Sequence, residues 1–261
     1  MRAHRRYLVW LALVLLGGFG LDPPVHAQDA LNDTGVTTCF DDSAATGSEP
    51  STHPRQDCRM GRDAANGAGV LAKTGGGAAG FDFTKFSNGG VALPASATLG
   101  TSPTSWACTY DNTTGLMWEV KSATANTLRY DGDTYTWYDT DSTSNGGFAG
   151  YPDAGHCKSG ISCDTQSYVA AVNAAALCGH HDWRLPTIGE LETLVDYGVP
   201  YEGSGPAIDT NYFPNTQQEA SWSATVSPGG GSAYYLYFNG GYAVTYYEDY
   251  VLYAMVVRSG Q

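Results

Sequence analysis

The chain has 261 residues and sets 13 Lys and Arg against 26 Asp and Glu, for a formal net charge of −13 at pH 7. That excess of carboxylates excludes the positive footprint needed by nucleic acid, anionic membranes or sulfated polysaccharides, and suits cation binding or solubility outside the cell. Its six cysteines read as three disulfides if the chain is exported.

The N-terminus predicts export. Arg2, Arg5 and Arg6 precede an apolar run over 8–19, and Val25-His26-Ala27 precedes Gln28. A basic region, a short apolar region and a small residue at the cut predict a secretory signal peptide over 1–27. The run falls short of the ~20 residues of a membrane span, so no membrane insertion is expected. Loss of three arginines and one aspartate with the leader takes the charge to −15. The expected location is extracellular or at the cell surface, with the periplasm as the other oxidising compartment. The expected pairings are Cys39–Cys58, Cys108–Cys178 and Cys157–Cys163, the first closing the N-terminal segment on itself. Zinc is disfavoured because no C-x-x-C spacing is present.

Residues 28–104 are rich in Gly, Ala, Ser, Thr and Asp and hold few large apolar side chains. Such a stretch forms little core of its own and is read as an irregular N-terminal extension pinned by a disulfide. One short strand is expected at 82–86, with Phe81, Phe83 and Val91 docking on a neighbour. Residues 105–261 carry five of the six tryptophans and have the length of one ordinary domain.

Within that domain, alternation over 106–110, a turn at Asp111-Asn112-Thr113-Thr114-Gly115 and a second run over 116–120 predict a hairpin. Two helices follow. Asp164 or Thr165 caps one that runs to about Leu177, with Tyr168, Val169, Val172, Ala176 and Leu177 at helical spacing. Thr187-Ile188-Gly189-Glu190 has the form of a capping box and opens the other. Leu191, Leu194 and Val195 form its apolar stripe, and Gly198 and Pro200 end it. Strands are expected over 222–226, 233–238, 242–247 and 250–258, the middle two joined at Asn239-Gly240-Gly241. Two central helices between hairpins predict an α+β fold on small twisted antiparallel sheets, stapled by disulfides.

These residues resemble a known family. Its motifs are met at Trp106-x-Cys108, at Asp111-Asn112-x-Thr114-Gly115-Leu116-Met117-Trp118-Glu119-Val120-Lys121 and at Tyr135-Thr136-Trp137-Tyr138. They continue through Val172-Asn173-Ala174, Leu177-Cys178-Gly179-x-x-Asp182-Trp183-Arg184-Leu185-Pro186-Thr187, Glu190-Leu191, Phe213-Pro214-Asn215-Thr216, Trp222-Ser223 and Val256-Val257-Arg258. The stretch from 105 to 261 is similar to the C-terminal domain of the Legionella collagen-like adhesin, the Lcl C-terminal domain family. Thr34-Gly35-x-Thr37-x-Cys39 and Gln56-Asp57-x-x-x-Gly61-Arg62-Asp63 are similar to the lead-in of such exported proteins. The resemblance implies a C-type-lectin-like fold, distantly related to that of the formylglycine-generating enzymes. Trp118, Trp183, Arg184, Pro186, Thr187 and Glu190 are the fold motif it carries over. The chain departs from those enzymes in having no cysteine after Cys178, from calcium lectins in lacking their Glu-Pro-Asn, Gln-Pro-Asp and Trp-Asn-Asp triplets, and from the adhesin in lacking its collagen-like stalk.

Three stretches are candidate sites. His180 and His181, adjacent in an extended segment, point to opposite sides and do not share a metal easily. There we expect a turn before a buried Trp183, with Asp182 and Arg184 held by backbone or by each other. Asp131, Asp133, Asp139, Asp141, Asn145 and Asp153 place oxygens at alternating positions near glycines, as Ca²⁺ requires, although any solvated loop has the same composition. Tyr235, Tyr237, Tyr242, Tyr246, Tyr247 and Tyr250, near Asn239, Glu248 and Asp249, form a candidate binding surface, because aromatic rings offer area at low entropic cost. No nucleophile elbow, zinc-protease motif or isolated carboxylate pair is present, so no catalytic residue is named. The expectation is a secreted, non-enzymatic module that binds an extracellular glycan or surface protein in attachment. The alternative is a structural subunit that self-associates through the tyrosine-rich strands as a homo-oligomer.

Overall fold

The computed structural model describes residues 32–260; the leader expected over 1–27 lies outside them. The chain begins with a two-residue ladder, β1 (Cys39–Phe40) with β2 (Ala45–Thr46), and a short helix α1 (Gly61–Gly67). The Cys39–Cys58 disulfide ties β1 to the turn before α1. Then come β3 (Phe83–Ser87), β4 (Ala92–Leu93), β5 (Trp106–Asp111) and β6 (Leu116–Glu119), followed by α2 (Thr165–Ala174) and α3 (Ile188–Glu192). The chain closes with β7 (Ala220–Val226), β8 (Ser232–Tyr237), β9 (Tyr242–Tyr247) and β10 (Val257–Ser259). The result is a mixed α/β molecule built on antiparallel ladders.

Two sheets organise it. The larger has the order β10-β6-β5-β3-β4, the smaller β7-β8-β9. The β5–β6 hairpin turns where Asp111 accepts the Thr113 and Thr114 N–H groups, an Asx-type closure that lets Gly115 take a left-handed φ of 72°. Every residue of β6 is buried, so both faces of the large sheet are covered. Leu116 and Trp118 join Phe83, Leu191, Leu194, Leu236 and Phe238 on one face. Met117 points to the other face, with Phe86, Tyr168 and Val172. α2 therefore covers one side, and α3 with the small sheet covers the other.

A charged cluster lies within the α2 side. Glu119 is fully buried and accepts hydrogen bonds from the Tyr168 hydroxyl and, at 3.0 Å, from the Val256 N–H. The Lys121 ammonium stands 3.0 Å from Glu119 and donates to Tyr168 at 2.8 Å. Burial pulls the Lys121 ammonium below its usual range, and the Glu119 carboxylate opposes that pull. Buried charge is tolerated where, as here, each group is paired.

Several expectations are corrected. The segment before 105 is no irregular appendage: β3 lies between β5 and β4 in the main sheet, and Phe81 and Phe83 belong to the core. Val91 does not dock; it is 64% exposed. α2, capped by Asp164 accepting the Ser167 N–H, stops at Ala174 instead of Leu177. The chain breaks there because Ala176 and Cys178 both take left-handed conformations, with φ near 50°, which a continuing helix forbids. The Cys108–Cys178 disulfide anchors the second of them to β5. The second helix ends at Glu192, well before Gly198. The expected last strand over 250–258 shrinks to β10, because Leu252 and Tyr253 form single bridges to Tyr135 and Ser221, each outside the large sheet.

Candidate functional site

The stretch over 178–190 is held from all sides. The Asn173 side chain on α2 accepts the Trp183 N–H and donates to the Trp183 carbonyl, both at 2.8 Å, as a neighbouring strand would. The Trp183 indole donates to the Leu177 carbonyl at 3.0 Å, and the ring is buried. Asp182 and Arg184 do not hold each other, because each has a better-placed partner. Arg258 on β10 donates to Asp182 at 2.7 Å and holds its carboxyl below the usual range. Arg184 grips Glu190 through two hydrogen bonds of 2.8 and 2.6 Å. Glu190 also accepts the Thr187 N–H at 2.8 Å and closes the capping box. Pro186 is buried, and its carbonyl accepts from Ala224 on β7. Trp118, buried in the large sheet, completes the fold motif. His181 contacts the Asn173 carbonyl at 2.7 Å, whereas burial and then Arg258 lower the His180 pKa. The segment is a brace joining α2, α3 and β10.

The carboxylates proposed for Ca²⁺ are not brought together. Asp139 accepts from the Asp141 N–H and the Ser144 hydroxyl, and Asp141 from Thr143. Asn145 accepts from Gly147. Asp133 takes the Lys158 N–H and Asp153 the Cys163 N–H, next to the Cys157–Cys163 disulfide; Asp131 lies in a separate turn beside Asp133. Asx turns consume the oxygens that a cation would need. Among the described residues, the one trio of carboxylates close enough to share an ion is Asp33, Asp57 and Asp63, with ligand atoms within 4.8 Å. The sequence reading did not single out this trio, since its members lie apart in the chain, Asp33 in an irregular stretch, Asp57 in the turn before α1 and Asp63 within α1. Its oxygens are also engaged: Asp63 accepts from Gly35 and Gly80, Asp33 from Asp63, and Asp57 from the Thr34 hydroxyl. Burial raises the Asp63 carboxyl, and Asp33 adds repulsion.

The tyrosines form a surface. Cross-strand partners share a face, and the register pairs Tyr237 with Tyr242, Tyr235 with Val244 and Ala233 with Tyr246. The other face carries Leu236 and Ala243, packed into the core beneath α3. The tyrosine face is open along β9: Tyr242, Val244, Tyr246 and Tyr250 are all at least 38% exposed. The rings form a belt of two groups, one with Tyr237–Tyr242 centroids 5.1 Å apart, the other with Tyr235–Tyr246 at 6.1 Å and Tyr246–Tyr250 at 4.1 Å. Tyr201, from the loop after α3, extends the belt to Tyr242 at 6.4 Å; no sequence signal pointed to it. A hydrogen bond with Tyr250 raises the Tyr246 hydroxyl pKa. Tyr247 alternates away from Tyr246 along the strand, opposite Ser232, yet at the strand end its ring is 65% exposed and stands 6.3 Å from that of Tyr246, so it stays beside the same surface.

Glu248 is also corrected, because it is no exposed neighbour of the belt. It is fully buried, and neither carboxylate oxygen has a partner among the described residues. Burial alone pushes its carboxyl up to about 7. Its main chain is fixed: the carbonyl accepts from Trp137 at 3.1 Å, and the N–H reaches Gly231 at 3.4 Å.

No helix among the described residues is long and apolar enough to cross a membrane. No curated protein and no solved structure matches the chain. The model of the Lcl C-terminal domain matches residues 107–258. That match takes in β5 through β10, the brace and the tyrosine belt, and the chain belongs to the Lcl C-terminal domain family, an adhesin-related module.

Proposed function

We propose that the protein is a secreted, non-enzymatic recognition module of C-type-lectin-like fold that attaches a bacterial surface to an extracellular glycan or protein through its tyrosine belt. The observation that carries this reading is the concentration of exposed rings along β9, while Leu236 and Ala243 on the other face of the small sheet pack into the core beneath α3. Soluble proteins seldom leave an aromatic patch of this kind uncovered without a partner, and tyrosine presents both an apolar face and a hydroxyl. The family and the intrachain disulfides support an extracellular setting. All six cysteines are bridged, which leaves no free thiol for chemistry of the formylglycine-generating kind.

The test is a glycan array probed with the disulfide-intact protein, wild type and Tyr246→Ala, with Ca²⁺ and with chelator. Selective binding that survives chelation and is lost in Tyr246→Ala is expected. Binding that needs Ca²⁺, or that ignores Tyr246, refutes the belt. A second reading rests on a different observation: β9 is the outer strand of the small sheet, and a six-residue exposed edge is a template for pairing with another copy. Sedimentation of wild type against Val244→Lys decides it, since a charge at mid-strand blocks edge pairing.

A further inference from the structure

We propose that a groove between the 137–145 loop, α2 and the Arg184–Glu190 brace, separate from the tyrosine belt, is a binding site for a neutral saccharide unit. Its volume is about 520 Å³, within the ~300–1,000 Å³ of small-molecule sites. The walls combine apolar and polar groups. Val169, Leu185 and Ala224 supply aliphatic surface beside Trp137, whose indole is fixed by donating to the Ser223 carbonyl at 2.9 Å. Sites for small ligands have this character: mostly apolar, with a few polar groups in fixed positions.

The polar groups identify the class of occupant. The Arg184 charge is already matched by Glu190 through two hydrogen bonds, and the carboxylate of Asp139 is the other charge on the wall. An anionic ligand therefore meets a net negative lining and is disfavoured. A bare cation finds the Asp139 oxygens engaged by the Asp141 N–H and the Ser144 hydroxyl. What remains open is a set of donors. Gln166 spends its carbonyl oxygen on the Thr140 N–H at 2.8 Å and the Thr140 hydroxyl at 3.1 Å, and its amide N–H groups have no partner among the described residues. The same holds for the Arg184 Nε–H and the Tyr138 hydroxyl. Unengaged donors on lining residues beside an aliphatic wall complement a molecule that is uncharged, rich in hydroxyl and ether oxygens, and apolar on its ring C–H face. A pyranose unit is such a molecule. The Arg184–Glu190 pair thus does two things: it braces α3 and neutralises the floor so that a neutral ligand is preferred.

The probe is a panel of free sugars (glucose, galactose, mannose, N-acetylglucosamine and lactose) added to the full disulfide-bonded protein, with the Trp137 indole N–H followed by NMR. At least one sugar is expected to shift that signal saturably, at millimolar concentration. Gln166→Ala should weaken the binding about tenfold, the worth of one hydrogen bond. Gln166→Trp, at an exposed helix position that leaves the core untouched, should fill the groove and abolish it. Tyr246→Ala should leave it unchanged, which separates this site from the belt. The proposal is overturned if no sugar shifts Trp137, if the shift persists in Gln166→Trp, or if Tyr246→Ala removes it. It is equally overturned if a peptide or an anionic sugar binds the groove in preference to the neutral panel.

Discussion

Replacing Glu248 by Gln changes how stability depends on pH. The wild-type carboxyl is fully buried without a partner, and its pKa rises from 4.5 to about 7 on folding. The folded state thus binds the proton more tightly than the unfolded state, and stability falls as pH rises between those two values. Below pH 4.5 the group is protonated in both states and contributes nothing to the slope. Above pH 7 the full loss is present. At 1.36 kcal/mol per tenfold change in proton affinity, the loss comes to roughly 3 kcal/mol. Glutamine keeps the shape and removes the titration. Relative to wild type, Glu248→Gln should therefore gain about 3 kcal/mol between pH 4 and pH 8, worth roughly 5–10 °C in Tm for a molecule of this size. Calorimetry of both proteins at pH 4, 6 and 8 with disulfides intact reads the difference directly, since every other carboxyl is common to both. Parallel profiles, or a gap that widens toward acid, would refute the reasoning.

Three further outcomes follow from the packing. Lys121→Ala strands the buried Glu119 charge and should cost about 3–5 kcal/mol in urea melts, whereas the double variant Glu119→Gln, Lys121→Met should cost far less than the two singles summed. Thr187→Ala removes one half of the capping box and should cost about 1 kcal/mol, with α3 amides exchanging faster. Removing the Cys108–Cys178 bridge, which spans 70 residues, should cost about 4 kcal/mol, against about 2 kcal/mol for Cys157–Cys163, which spans 6. Equal losses from the two bridges would count against loop entropy as their main effect.

Local chemistry was legible in the sequence. The capping box at Thr187 and Glu190, the Asp164 cap and the hairpin at Asn239-Gly240-Gly241 depend on residues within a few positions of one another, and the structure has all three. Long-range partners were not legible. Asp182 and Arg184 lie two apart, but their partners are Arg258 and Glu190, and only the closing of β10 onto β6 brings Arg258 within reach. The aspartates over 131–153 show the same limit, since alternating oxygens look alike whether they face an ion or close Asx turns. The six tyrosines fall on one exposed stretch of the small sheet, but which rings meet, Tyr237 with Tyr242 and Tyr235 with Tyr246, is decided by the register alone. Glu248 gave no signal because nothing in its neighbours announces burial. The low-apolar stretch before 105 concealed β3, because two phenylalanines docked on an existing sheet need no core of their own.

The position of β3 has an evolutionary consequence. The family match begins at residue 107, yet β5 pairs on one side with β3, which is drawn from upstream of that boundary. Excising the matched region would bare a hydrogen-bonding edge in the middle of the sheet and strip Phe81 and Phe83 from the interior. The unit that recombination can move intact between genes is therefore larger than the unit that sequence similarity recognises. Fusions that graft this module onto other proteins must carry its leading segment with them.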